Sequence, residues 1–334
     1  MPSSTSSFER EVPEGAWGGP LLIALLVTIL TTVGVEFWAR ARGFVPTVVD
    51  DTNLWVLHRQ RVSDGRTSTV AVIGASRSQL GIMPSVLRES LHGAKVVQLS
   101  IDGTAPLATL EDLSNDADFR GTVVMEFNEW TIRSSAWAQQ QPWVKAYHRR
   151  WRSLGALANR RLASEVQSRL AIFPATGPGL LRAILEERHL SRPPYVTLKR
   201  DRWRSANYGK SNLAKLKRWR RKGLADYSPP NPDWRQQLER VAQAVQRIES
   251  RGGRVVFLRM PLSGPYLKFA ERLYPRKRFW NKIARTTGAE TYHFQDYPVA
   301  STLAVPDFSH LSAAGAVRYT EELGRLLKSR PKQR

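Results

Sequence analysis

The stretch Thr69-Val-Ala-Val-Ile-Gly-Ala-Ser76-Arg-Ser-Gln-Leu-Gly81 decides the fold that we expect for this chain. A short apolar, β-branched run that stops at a small-residue turn is typical of a buried strand in an open α/β sheet. Such sheets place ligand chemistry at the carboxyl ends of their strands. The turn presents Ser76 at that edge, so Ser76 is the first candidate for chemistry.

The same alternation of strand and helix recurs along the chain. Repeated strand–helix–strand units predict crossover connections and a parallel sheet. We therefore expect an α/β fold with a parallel, flavodoxin-like sheet that is flanked by helices. The predicted strands cover residues 69–73, 95–101, 121–127, 254–258 and 290–294, and the predicted helices cover residues 83–91, 105–113, 144–170, 179–189, 231–252, 266–287 and a last segment capped by Ser312.

A serine hydroxyl is a weak nucleophile, so Ser76 needs a base that a third group orients. The late segment Pro306-Asp307-Phe308-Ser309-His310-Leu311-Ser312 offers both groups. His310 precedes a predicted helix start by two residues, and Asp307 lies within the same turn. We expect this loop to reach Ser76 at the edge of the sheet.

The early Gly-x-Ser and the late Asp-x-x-His resemble the motifs of the SGNH hydrolases, also called the GDSL family. The resemblance is to the membrane-anchored branch linked to acylation of cell-envelope glycans, and it covers residues 67–131 and 252–329. It implies an SGNH-like fold in which Ser76 is the nucleophile, His310 the base and Asp307 the group that orients the base.

The resemblance also implies an oxyanion hole formed by the amides of Ser76 and Gly103 and by the side chain of Asn128. This sequence departs from the family pattern at several positions. Gln98 stands where the second block has an asparagine, Ala75 replaces the acid of the Gly-Asp-Ser signature, and the usual glycines before Asn128 are missing.

Two arginines are candidates for substrate binding because they adjoin the predicted site. Arg77 follows Ser76 directly, with a local ion pair as its alternative role, and Arg259 ends the predicted fourth strand.

The expected activity is that of a serine acyl-ester hydrolase or O-acyltransferase acting on an acylated envelope polysaccharide. Water as acceptor gives an esterase, whereas a sugar hydroxyl gives an acyltransferase, and acetyl is the expected acyl group. The alternative is a degenerate SGNH-like domain that binds glycan or scaffolds an acylation complex. Either role is compatible with a membrane-bound acyltransferase as partner.

A short-chain dehydrogenase is the rival enzyme class, because Val-Ile-Gly-Ala-Ser-Arg resembles its nucleotide loop and Tyr195-Val-Thr-Leu-Lys199 has a Tyr-x-x-x-Lys spacing. The loop lacks the glycine expected at Ser78, and Tyr195 follows two prolines where a helix should continue.

We expect no cofactor. The chain has no cysteine, which excludes thiol chemistry and disulfides, and its histidines show no metal-ligand spacing.

Residues 16–38 predict a transmembrane helix, because residues 16–35 carry no charge and about 20 apolar residues cross a bilayer. A cleaved signal peptide or a buried core helix are the alternatives. Arg40 and Arg42 would place the following domain in the cytoplasm by the positive-inside rule. The family resemblance implies the opposite, and we expect a single-pass membrane protein whose bulk is periplasmic or extracytoplasmic.

The remaining boundaries follow from composition. We predict a disordered tail at 1–15, a juxtamembrane connector at 39–66, the SGNH-like domain at 67–329 and a basic tail at 330–334.

A helical basic insertion at 134–230 contributes to a net charge of +22 and carries Trp203 and Trp219 among its cations. It is compatible with a sugar chain, anionic lipid, nucleic acid or a solvated surface. Since no motif for nucleic-acid readout is present, we expect a polysaccharide rather than specific nucleic acid.

Overall fold

The computed structural model describes residues 17–150, 153–173, 193–224 and 229–329. The predicted tails at 1–15 and 330–334 and the predicted helix at 179–189 lie outside these residues.

A five-stranded parallel sheet organises the described chain, which confirms the predicted mixed α/β fold. The strand order is β2-β1-β3-β6-β7. When only the strands of this sheet are counted, the order is 2-1-3-4-5, one of the two common orders of doubly wound sheets. The order reverses between β1 and β3, so the carboxyl ends of these two strands border the crevice where such sheets bind ligands. The strands are β1 Thr69–Ile73, β2 Lys95–Gln98, β3 Thr122–Glu126, β6 Arg254–Arg259 and β7 Glu290–His293, with a separate antiparallel pair formed by β4 Val196–Leu198 and β5 Arg204–Ala206.

Helices follow the strands of the main sheet and cover it. Those described are α1 Gly18–Ala41, α2 Thr52–Arg59, α3 Ser76–Gly81, α4 Pro84–Ser90, α5 Leu107–Asn115, α6 Gln141–Arg150, α7 Leu154–Gln167, α8 Leu213–Gly223, α9 Trp234–Glu249, α10 Gly264–Leu273, α11 Trp280–Thr287, α12 Pro298–Ser301 and α13 Ala313–Lys328. Two of the predicted helices are each two helices. The helix predicted at 144–170 corresponds to α6 and α7, and the helix predicted at 266–287 corresponds to α10 and α11, with Pro275 in the connection between them, since proline cannot donate a backbone hydrogen bond.

The core has one apolar layer on each face of the sheet. Alternate residues of β1 separate into the two layers, Ala71 and Ile73 on one side and Val70 and Val72 on the other. Every residue of β1 is buried. Strands buried on both faces read as continuous apolar runs, which is why the opening stretch predicts a central strand.

The predicted juxtamembrane connector is more than a linker. Its helix α2 buries Trp55 and Val56 completely, and both belong to the larger core layer. The Trp55 indole also donates to the Leu99 carbonyl at 2.9 Å, just beyond β2. Residues 52–62 therefore pack as part of the α/β body, because burying the apolar face of α2 removes its surface from water.

The predicted basic insertion is not wholly helical, since it contains the β4–β5 pair. Arg202, between these strands, is fully buried and donates to the carbonyls of Gln98 and Ser100 at 3.0 and 3.1 Å. Its charge is balanced by Asp50 at 2.8 Å. This part of the insertion supports the end of β2 rather than forming a solvated surface.

One helix among the described residues, α1, is long and apolar enough to cross a membrane, although a signal sequence near an N-terminus meets the same criteria. Near the end of this helix, the Glu36 carboxylate accepts the amides of Ala171 and Ile172 at 2.9 and 2.8 Å. The end of α1 is thus attached to the segment that follows α7.

Candidate active site

The side chains of Ser76, His310 and Asp307 follow one another at hydrogen-bonding distances. Ser76 Oγ lies 2.8 Å from His310 Nε2, and His310 Nδ1 lies 2.9 Å from Asp307 Oδ2. The first two residues are 234 positions apart in sequence. The fold therefore brings together the three residues that sequence predicts as nucleophile, base and orienting acid.

Local structure holds each end of this row of side chains. Ser76 is the first residue of α3, directly after the turn that ends β1. On the other side, Asp307 Oδ1 accepts the amides of Ser309 at 3.1 Å and His310 at 2.8 Å. Ser312 then caps α13 by accepting the Gly315 amide, as predicted. Asp307 consequently orients the loop backbone with one oxygen and the imidazole with the other.

The electrostatics of the pair favour a neutral imidazole beside an ionised carboxylate. Burial, together with the charges of Arg220 and Arg77, lowers the pKa of His310 below its ordinary value of 6.5, against the raising effect of Asp307. Burial opposes ionisation of Asp307, but the contact with His310, the charge of Arg220 and the Ser309 amide outweigh it and lower the pKa of Asp307. A neutral His310 is the form that can accept a proton from Ser76.

A buried carboxylate beneath the Ser76 turn was missed by the sequence analysis. Glu126, at the end of β3, accepts the amides of Ala75 at 3.0 Å and Ser78 at 2.9 Å, and the Ser78 hydroxyl at 2.8 Å. Burial opposes its ionisation, but the charge of Arg77 and these hydrogen bonds lower the pKa of Glu126. In the sequence, Glu126 is indicated only as a single acidic residue at the end of an otherwise apolar strand.

Arg220 is the second residue that sequence reasoning missed, because it lies within the basic run of α8. Its guanidinium donates to Asp307 Oδ2 from Nε at 3.2 Å and from Nη2 at 3.1 Å. The same Nη2 lies 2.9 Å from His310 Nδ1. The predicted insertion therefore contributes a cation directly to the Asp307–His310 pair.

The three predicted oxyanion donors line one cleft with the Ser76 side chain. In the described ranges, the backbone amides of Ser76 and Gly103 donate to no protein group, so both are available to a ligand. Asn128 Nδ2 gives one hydrogen to Glu126 Oε1 at 2.9 Å, and its Oδ1 accepts from Arg259 at 2.6 Å. One amide hydrogen of Asn128 is left for the cleft.

The two arginines predicted to bind substrate have different positions. Arg77 is 8% exposed, lines the cleft and has its Nη1 3.5 Å from Glu126 Oε1, so the local ion pair is present. Arg259 is 3% exposed and is not among the cleft-lining residues. It holds Asn128 and lies 3.2 Å from Glu129 Oε2 because a buried guanidinium requires such partners. Its place is behind the cleft wall, where it supports Asn128.

The cleft has a volume of about 950 Å³ and mixes aromatic and cationic walls. Trp130, Trp219, Tyr266 and Tyr274 supply aromatic surface, and Trp219 is 61% exposed. Arg133 also lines it and has no ion-pair partner among the described residues. The cleft therefore combines aromatic surface with hydrogen-bonding cations.

The segment that suggests a dehydrogenase does not have the required shape. Residues 196–198 form β4, so Tyr195 and Lys199 flank a strand. Four residues span about 13 Å in a strand but only about 6 Å in a helix. Within the described residues, no group of three or more His, Cys, Asp or Glu side chains is arranged to hold a metal ion.

No family model matches the chain, and no curated protein matches its sequence. Among solved structures, the chain is similar to that of TesA, with 15% sequence identity and a TM-score of 0.37. The likeness covers 78% of this chain and 98% of that chain. This degree of similarity is too low to assign a function, which therefore rests on the contacts of Ser76, His310 and Asp307.

Proposed function

We propose that the chain is an SGNH-like serine esterase or O-acyltransferase that removes or transfers acyl groups on an envelope polysaccharide. The observation that carries the proposal is the row of side chains from Ser76 through His310 to Asp307, at hydrogen-bonding distances of 2.8 and 2.9 Å. A serine activated by an oriented imidazole is the arrangement that acyl transfer requires.

Acylation begins when Ser76 Oγ attacks the ester carbonyl and His310 Nε2 takes the hydroxyl proton. The carbonyl oxygen becomes an oxyanion that accepts the amides of Ser76 and Gly103 and the remaining hydrogen of Asn128. The C–O bond of the leaving alcohol then breaks, and His310 gives the proton to that oxygen. The product is an acyl ester on Ser76.

Deacylation repeats these steps with a second acceptor. Water, deprotonated by His310, releases a carboxylic acid, whereas a sugar hydroxyl in the same place accepts the acyl group. In both cases the proton returns through His310 to Ser76 Oγ. Asp307 keeps the imidazole oriented and stabilises its cationic form during each transfer.

The substrate class is proposed from the walls of the cleft. Trp219, which is largely exposed, offers ring surface for a sugar, and Arg133 offers a cation for hydroxyl, carboxylate or other acidic groups. Ser76 is partly exposed and lines the cleft, as attack on a polymer requires. Acetyl is the acyl group that we propose.

We further propose that α1 anchors the protein in a membrane as a single-pass helix, with the α/β domain on the extracytoplasmic side. Its apolar residues are exposed along the span, including Leu21, Ile23 and Leu30 at 64%, 63% and 70%. Exposure of this kind is costly in water and favourable in lipid. A membrane-bound acyltransferase would supply acyl groups if the transfer direction is the physiological one.

A glycan-binding scaffold is the second candidate, and the contact of Arg220 with His310 Nδ1 favours it. An imidazole whose Nδ1 accepts from Arg220 cannot act as base at Nε2, because that nitrogen then carries the proton. A protein held permanently in this state would bind glycan without chemistry.

The proposal is tested with purified full-length protein and an O-acetylated polysaccharide. Wild type should release acetate, or transfer it to an added oligosaccharide, at a rate that Ser76→Ala abolishes. Exposed Ser135→Ala is the matched control, because it also removes a hydroxyl from the cleft lining. Equal acetate release by wild type and Ser76→Ala would reject the proposed activity.

A further inference from the structure

Arg220 lies where it competes with Asp307 for a hydrogen bond with His310 Nδ1. Asp307 Oδ2 and Arg220 Nη2 each lie 2.9 Å from this nitrogen. A ring nitrogen has one in-plane site, so it either donates a proton to Asp307 or accepts one from Arg220. The two contacts correspond to two different tautomers of a neutral imidazole.

The tautomers differ in what they allow at Ser76. With the proton on Nδ1, the ring donates to Asp307, and Nε2 is free to accept the proton of Ser76 Oγ. With the proton on Nε2, the ring donates to Ser76 Oγ and Nδ1 accepts from Arg220. The Asp307 carboxylate then accepts hydrogen bonds from Arg220 and from the two loop amides. Only the first tautomer gives a general base.

We propose that Arg220 is a positioning residue that holds His310 in the inactive tautomer until an anionic group of the substrate draws its guanidinium away. This inference rests on the proposed function and adds a requirement for an acidic ligand, such as a sugar carboxylate or phosphate. On release of Arg220, the Nε2 proton passes to solvent and Nδ1 takes up a proton from solvent, so the exchange is balanced.

The location of Arg220 fits this role. Its side chain is 19% exposed and lines the cleft, so an acidic ligand has access to it. It belongs to α8, which has no buried residue, and it is followed along the helix by Arg221 and Lys222. A helix with little packing moves at low cost, and its positive charge attracts anionic polymers.

The charged and titratable groups around His310 come from four segments. Asp307 comes from the loop that carries His310, Arg220 comes from α8, and Arg77 comes from α3. The fourth group is the Tyr208 hydroxyl, which lies 3.5 Å from the His310 carbonyl. Burial, with the charge of Asp307, raises the pKa of Tyr208, which therefore stays neutral near pH 7. Arg220 is the member of this set that both reaches Nδ1 and lines the cleft.

The test compares Arg220→Gln with Arg218→Gln, an equal loss of charge at an exposed position of the same helix. Ring ¹⁵N chemical shifts of His310 report the tautomer directly and need no activity. Arg220→Gln should move the proton from Nε2 to Nδ1, and Arg218→Gln should leave it in place. Loss of a charge-assisted hydrogen bond should also speed hydrolysis of a small neutral ester by about tenfold or more.

The acidic ligand is tested with oligogalacturonate as probe and a neutral xylo-oligosaccharide as control. Oligogalacturonate should accelerate ester hydrolysis by wild type and by Arg218→Gln, but not by Arg220→Gln. Unchanged ¹⁵N shifts in Arg220→Gln, or equal acceleration by both sugars, would overturn the inference. If wild type and both arginine variants hydrolyse esters no faster than Ser76→Ala, the proposed function fails instead.

Discussion

Glu126 Oε2 accepts the backbone amide of Ser78 at 2.9 Å, which places a buried carboxylate directly beneath the turn that carries Ser76. The same oxygen accepts the Ala75 amide at 3.0 Å. Glu126 Oε1 reaches Asn128 Nδ2, so one carboxylate links the nucleophile turn to a predicted oxyanion donor. The ends of β1 and β3 are held in register by this residue as well as by the sheet.

Glu126→Gln should destabilise the protein strongly. The substitution removes a buried negative charge and leaves Arg77 without it, and breaking a buried pair in this way costs about 3–5 kcal/mol. Chemical denaturation of both proteins at pH 7 measures the difference. Glu111→Gln, which removes only a more exposed ion pair with Arg240, should change the free energy of unfolding by about 1 kcal/mol or less.

The cost of Glu126→Gln should also depend on pH. Because the folded-state pKa of Glu126 is lowered, ionised Glu126 contributes stability above its ordinary value of 4.5, and this contribution is lost as pH falls through the folded-state pKa. The stability difference should be constant from pH 8 to 6 and shrink in acid. A difference that grows in acid would contradict the ionised state of Glu126.

Activity should rise with pH as His310 loses its proton. Its lowered pKa predicts that the acid limb of kcat/KM has its midpoint below 6.5, the ordinary histidine value. Asp307 has a lowered pKa and stays ionised across this range, so it adds no second limb near neutrality. Hydrolysis of a small ester between pH 4 and 9 gives the profile, and a midpoint above 7 would contradict the described environment.

Asn128→Ala should lower kcat by about 10²- to 10³-fold with a small change in KM, as removal of one oxyanion donor does. Asn128 also joins Glu126 to Arg259, so the free energy of unfolding must be measured beside the kinetics. A loss of stability with unchanged kcat would limit Asn128 to this structural link.

Gly74→Ala should be far more destabilising than Gly93→Ala. Both glycines have positive φ, 158° and 84°, so both substitutions strain the backbone. A Cβ at Gly74 would lie 2.1 Å from Ser78 Oγ and 2.6 Å from Glu126 Cβ, whereas nothing lies within 4 Å at Gly93. Thermal unfolding should show a Gly93→Ala cost of about 1–2 kcal/mol and a larger one for Gly74→Ala. Equal costs would mean that the turn can move away from Glu126.

The parallel sheet, and the place of Ser76 at its edge, follow from local sequence patterns. Apolar runs such as Thr69–Ile73 predict buried strands, and the carboxyl ends of parallel strands meet at one edge, where Ser76 lies. The position of the Asp307 loop is implied by its resemblance to a known motif. The packing of helix α2 in the core could not be predicted from residues 52–59, because its burial depends on a sheet edge that these residues do not reveal.

Glu126 and Arg220 could not be assigned from sequence because their partners are distant. Glu126 is 48 positions from Ser78, and Arg220 is 87 positions from Asp307. An arginine in a basic run resembles its solvated neighbours until the fold brings one of them to a carboxylate. Such contacts depend on tertiary packing rather than on spacing or propensity.

Covalent labelling by a fluorophosphonate tests the central claim most directly, since it requires a serine that a neighbouring base activates. Folded wild type and Arg220→Gln should each carry the label on Ser76, located by peptide mass spectrometry, with faster labelling in Arg220→Gln. Ser76→Ala and His310→Ala should remain unlabelled. Absence of label at Ser76 in both folded wild type and folded Arg220→Gln would contradict the account.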